Sequence, residues 1–169
     1  MSTKRTVESS DAVGQAVAGV RSKHIDLMTV GEFKQCFIIP NGVSVQLLKG
    51  GPVPTHKADD NSICFFKKQF NAGLRLPLPS LFKQFLHFTK IPLALIHPNV
   101  VRVLMGCSIL DMLFNLELSL LEVFFVYIVK KAKSDIFSLA ANIPSLQLVT
   151  GLLDSIKGAT KGHVIVKGP

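Results

Sequence analysis

The stretch from residue 91 to residue 129 constrains this chain more than any other. It holds 27 apolar residues in 39 positions, with four charges: Arg102, Asp111, Glu117 and Glu122. Apolar surface at this density must leave water, into a bilayer or into a protein core. A spanning helix needs about 20 predominantly apolar residues in a row, and each charge at its centre costs about 2.5–3.5 kcal/mol. Only eight positions separate Arg102 from Asp111. A core helix is therefore the expectation, with membrane association through 91–129 as an alternative.

The rest of the chain suits a core-forming domain. At 169 residues, 48% hydrophobic and 18% charged, it is long enough to bury roughly two-thirds of its surface and too apolar for a disordered tail protein. The net charge of +8 is unevenly placed. Residues 49–90 carry seven basic and two acidic groups and residues 130–169 six and two, whereas 91–129 carry one and three. Basic flanks around an apolar centre suit nucleic acid or an anionic surface, and equally a solvated face that keeps an apolar domain in solution.

Cys36, Cys64 and Cys107 are odd in number and far apart, which fits a reducing, intracellular setting and indicates neither a disulfide framework nor a zinc ribbon. Lys4 and Arg5 are followed by Glu8 and Asp11, and Ala12–Val20 is broken by Gly14, Gln15 and Gly19. No secretory signal is expected.

Periodicity and punctuation give a local reading. Residues 1–28 show no sustained pattern and are expected to form a flexible arm before a domain over 29–169. Thr29 and Glu32 have capping-box spacing ahead of a helix to about Phe37, with Val30, Phe33 and Phe37 as its apolar stripe. Pro40-Asn41-Gly42 turns the chain, and Val43–Leu47 alternates as a strand does. Lys49 to Asn61 reads as a polar loop containing Gly and Pro. Ser62 is expected to cap a second helix through Ile63, Phe66 and Phe70, with Gly73 just past its end. Leu74–Pro79 must be extended, because proline disfavours the helical region for its predecessor. Ser80 opens a helix with Leu81, Phe82, Phe85 and Leu86 inward and Lys83, Gln84 and His87 outward. Pro92 and Pro98 bracket another extended stretch.

Asn99 is the N-cap candidate for a helix over 100–115, whose Ser108, Asp111 and Asn115 form a narrow polar stripe. That pattern predicts a central, largely buried helix. Ser119 and Glu122 make a second capping box, predicting a helix to about Lys131, although Val123–Val129 is rich enough in β-branched and aromatic residues for a strand. Ile136–Ala140 and His163–Lys167 read as strands around a Gly-containing loop. The fold class is α+β, helix-dominated, with a small sheet at the C-terminal end.

No string supports catalysis. Leu152-Leu153-Asp154-Ser155-Ile156 imitates an aspartic-protease turn, but Ile156 stands where that turn needs glycine and a second carboxylate is required. Gly151–Gly162 is rich in Gly and Lys yet lacks the P-loop order. His24, His56, His87, His97 and His163 have no partners at metal-ligand spacing. Asp111, Glu117 and Glu122 are better read as a polar stripe and a cap than as a metal cluster. No nucleophile motif occurs. The expectation is a non-enzyme with no catalytic, metal or cofactor residues and no small-molecule ligand indicated.

Nucleic-acid binding has one candidate set, Lys67, Lys68, Arg75, Lys83 and Lys90, interleaved with Phe65, Phe66, Phe70 and Phe82. Cations neutralise phosphates and aromatic rings stack on bases. The same phenylalanines also fall at helical core spacing.

Three blocks carry a resemblance: Ala72-Gly73-Leu74-Arg75-Leu76-Pro77-Leu78-Pro79; His97-Pro98-Asn99 with Arg102 and Gly106-Cys107; and Leu148-Val149-Thr150-Gly151-Leu152 with Asp154-Ser155 and Lys157-Gly158. Over about residues 29–168 the chain resembles the gag-like N-terminal domain of plant gypsy-type retroelements, also called a gypsy-type transposase domain. The resemblance implies a non-enzymatic protein of transposable-element lineage with an ancestral role in self-association, and it carries over no catalytic residue. Leu153 stands where the family has proline, and Ala159, Thr160 and His163-Val164-Ile165 replace its aromatic residues. Ending at Gly168-Pro169 implies a truncated or degenerate copy. A basic nucleic-acid-binding module is the alternative function.

Overall fold

A computed structural model describes residues 25–48, 61–132, 134–152 and 162–168 of the chain. The first helix, α1 (Val30–Cys36), opens with the Thr29–Glu32 box, in which each residue caps the other's backbone N–H. Its inward face is Phe33 and Phe37, which meet Phe70 at ring-centroid distances of 4.9 and 5.4 Å. Val30, expected on that stripe, is instead exposed, because the core lies on the Phe33 side. The core also begins earlier than expected. Ile25 and Met28 are buried around a 3₁₀ turn at Ile25–Leu27, so the arm cannot extend to residue 28. The remainder of the expected arm, residues 1–24, lies outside the described residues, as do 49–60 of the expected polar loop.

Gly42, at φ 89°, turns the chain after Pro40-Asn41 into β1 (Ser44–Leu48). The expected helix from Ser62 is corrected. Ser62–Phe66 is strand β2, and only Lys67–Asn71 is helical, as α2. Both β1 and β2 pair antiparallel with β5 (His163–Lys167), giving the order β1–β5–β2. Register places Phe65 opposite Val164 and Ile63 opposite Val166, while Val45 meets Val166 from the other side. Alternation then turns Val45, Phe65, Val164 and Val166 inward, where all four are buried. A strand about 100 residues distant makes Ser62–Phe66 a strand, and nothing near it in the chain announces that partner.

Gly73 does end α2, at φ 108°, with Gly73 N–H on Phe70 O and Leu74 N–H on Gln69 O. This Schellman arrangement settles the last carbonyls and sends buried Leu74 into the core. The chain stays non-helical to α3 (Ser80–Thr89), whose Leu81, Phe82 and Phe85 are buried and whose Lys83, Gln84 and His87 face water. Between Pro92 and Pro98 the expected extended stretch contains a 3₁₀ turn at Leu93–Leu95.

The long helix α4 (Pro98–Phe114) begins one position before the expected cap. His97 caps it, its Nδ1 accepting from Asn99 N–H at 3.1 Å, while Asn99 lies within the first turn. The helix is only half buried. Val100, Val101, Val103, Leu104 and Cys107 are sealed in the core, but Ile109, Met112, Leu113 and Phe114 are exposed. The expectation of a largely buried helix thus fails past Ser108.

Both readings of the next segment are true in turn. The Ser119–Glu122 box opens α5 (Leu120–Val126), and the chain then becomes β3 (Tyr127–Lys131) without a break. β3 pairs antiparallel with β4 (Phe137–Ala141) in a second sheet. The helix therefore stops at Val126, because Tyr127 onward finds a strand partner. The fold is α+β with two small antiparallel sheets, and the first draws two strands from the N-terminal half instead of lying at the C-terminal end.

Candidate functional site

Of the five candidate phosphate-binding residues, Lys67 is buried and the other four are exposed. Lys67, at the start of α2, is buried. Lys68 beside it is exposed. Arg75 is exposed, yet its Nη1 donates to Leu74 O at 2.7 Å and Phe70 O at 3.4 Å, and its guanidinium lies 5.6 Å from the Phe37 ring centroid. Lys83 and Lys90 are exposed and seven positions apart, along α3 and at its left-handed C-cap (φ 56°), with Lys90 Nζ 3.4 Å from His87 Nδ1. The stacking half of the reading is corrected. Phe65, Phe66, Phe70 and Phe82 are at most 4% exposed, so no base can reach their faces.

The second and third sequence blocks meet at one contact, and buried polar groups fix the segments around it. Asn99 forms a buried two-bond clasp on β4, donating to Leu139 O at 2.9 Å and accepting Leu139 N–H at 3.2 Å. Gly106 is where the second block meets the third: a Cβ there would lie 2.6 Å from Val149 Cγ2. Val149 is itself fixed by Tyr127, whose hydroxyl donates to Val149 O (3.1 Å) and accepts its N–H (2.8 Å). Gln69 completes the set, with Nε2 on Leu93 O and Ile96 O and Oε1 accepting Phe66 N–H. Gln69 and Tyr127 carried no sequence signal as hubs, since apart from Phe66 their partners lie more than 20 positions away.

The groups that resembled chemistry have structural positions. Burial pushes the Cys107 thiol up to about 11 and raises Cys64 as well, so neither is a thiolate at neutral pH. Asp111 accepts Leu118 N–H at 2.8 Å and so holds the turn between α4 and α5. Glu122 accepts from both Ser119 groups, and the side-chain bond holds its carboxyl below the ordinary range. No three His, Cys, Asp or Glu among the described residues stand together as metal ligands. His97 Nε2 is buried without a hydrogen-bond partner among the described residues. The protease-like and P-loop-like strings fall mainly in 153–161, outside the described residues.

The surface also carries large apolar side chains. Ile109, Met112 and Leu113 occupy i, i+3 and i+4 on α4, Leu116 follows its end, and Leu121 and Phe125 lie one turn apart on α5. Their exposures run from 47% to 79%, and large apolar side chains left in water are candidates for burial against a partner. No helix among the described residues is long and apolar enough to cross a membrane. No family model, curated protein or solved structure matches the chain.

Proposed function

We propose that this chain is a non-enzymatic self-association module, of the gag-like kind that its sequence resembles, and of gypsy-type retroelement lineage. The observation that carries the reading is the apolar face across the end of α4 and α5. Six large side chains are left exposed there, and covering them would contribute to the roughly 800 Å² that each subunit gives to a stable interface.

The occupant we assign is a second copy of the same face. Residues 109–128 carry Asp111, Glu117 and Glu122 and no Lys or Arg, which disfavours nucleic acid and anionic lipid at this surface. Asp111 and Glu122 are already engaged with backbone N–H groups, leaving the apolar side chains to meet their counterparts.

Sedimentation equilibrium tests this. The wild-type chain is expected to dimerise at micromolar concentration, and Met112→Glu with Leu113→Glu to weaken dimerisation at least about 100-fold with an unchanged helical circular-dichroism spectrum. A wild-type chain that stays monomeric at high micromolar concentration, or a double variant that dimerises as well as wild type, overturns the reading. The nucleic-acid alternative is supported by exposed Lys83 and Lys90 on α3. It predicts RNA or DNA affinity that falls steeply with salt and is weakened by Lys83→Gln with Lys90→Gln.

A further inference from the structure

A groove of about 470 Å³ opens where the first sheet faces the segment leading into α3. Ile63 and Phe65 of β2, Val43 and the run Leu76-Pro77-Leu78 line it, with Lys83 as the only ionisable lining residue among those described. Its size lies within the roughly 300–1,000 Å³ of small-molecule sites, which are mostly apolar with a few placed polar groups. Lys83 is exposed and has no acidic partner among the described residues.

We propose that this groove binds a small aliphatic monocarboxylate, its alkyl chain against Ile63, Phe65 and Leu76-Pro77-Leu78 and its carboxylate at Lys83 Nζ. One cation at an otherwise apolar site complements a ligand with one anionic end and no other polar group. A peptide fits less well, because it would carry a backbone N–H and C=O at every residue into a groove whose only neutral polar side chains among the described residues are Asn41 and Asn61. Unpaired backbone groups removed from water are costly. The site is independent of the α4–α5 face and of the self-association reading. The sequence indicated no small-molecule ligand because Val43, Ile63, Leu76 and Lys83 lie on four separate segments that only the fold assembles.

The test is an NMR titration of the full ¹⁵N-labelled chain with hexanoate, octanoate and decanoate, kept below micelle formation. Amide shifts are expected around Val43, Ile63, Phe65 and Leu76, with affinity rising about fourfold per methylene. Lys83→Met is expected to weaken decanoate up to about fivefold, as befits an exposed ion pair, and to leave decanol unchanged. Ile63→Asp, at a half-exposed position, should remove binding of both while the circular-dichroism spectrum stays that of wild type. The proposal is overturned if no decanoate binding is seen, if chain length has no effect, or if Lys83→Met leaves decanoate unchanged. Binding that survives Ile63→Asp with shifts at Met112 and Leu113 overturns it too, by placing the alkyl chain on the α4–α5 face.

Discussion

The two halves of α4 are alike in hydropathy and opposite in circumstance. From Asn99 to Cys107 the helix is buried, and it contains a clasped asparagine and a glycine packed against Val149. From Ile109 to Phe114 it carries four large apolar side chains into water. Apolar content thus says how strongly a segment seeks a partner, and not whether the chain itself supplies one. In the first half β4 and α3 are that partner. In the second half the chain provides none among the described residues, and that face is the proposed interface.

Substitutions along α4 should separate the halves. The largest expected effect is Asn99→Ala, which leaves Leu139 N–H and C=O buried and unpaired, at about 1–3 kcal/mol for each group. Urea unfolding measures it, and a loss below 1 kcal/mol would show that the clasp is not part of the stable core. Leu104→Ala, at a fully buried site, should cost about 2–5 kcal/mol, against about 0.5 kcal/mol or less for Leu113→Ala in the monomer. Equal costs would erase the distinction between the halves. Gly106→Ala forces a methyl group onto Val149 and should cost about 1–3 kcal/mol. Restoring stability in Gly106→Ala with Val149→Ala would confirm that contact as the cause.

The smallest effect is a pH dependence from β5. His163 is buried against Phe66, with ring centroids 5.1 Å apart, and burial lowers its pKa. In the unfolded chain it titrates near 6.5. The unfolded state therefore binds more protons just below that pH, so stability is full above about 6.5 and falls as pH drops towards the folded value. Denaturation midpoints from pH 7.5 to 5 should show the decline in wild type and a flatter profile in His163→Phe. A wild-type slope unchanged by that substitution would assign the effect elsewhere.

Signals confined to a few neighbouring residues were legible in the sequence. Both capping boxes, the turn at Gly42, the end of α2 at Gly73 and the two faces of α3 all follow from contacts within about four residues, whose geometry the backbone fixes. The candidate site was less legible. Lys83 and Lys90 are on the surface as expected, and so is Arg75, but the four phenylalanines are buried, because the segments that cover them, such as the strand holding Val164, are distant in sequence.

The sequence by itself determined that this chain builds an α+β core around an apolar centre, because period and capping are local and apolar surface must leave water wherever it lies. Only the tertiary structure decided that Ser62–Phe66 is a strand, that the helix after Ser119 yields to β3 at Tyr127, and that α4 is buried for only half its length. Each of those outcomes depends on which distant segment arrives to pair or pack: β5 beside β2, β4 beside β3, and nothing among the described residues over Met112 and Leu113. A strand exists only with its neighbour, and burial only with a cover, so neither can be read from the residues that undergo it.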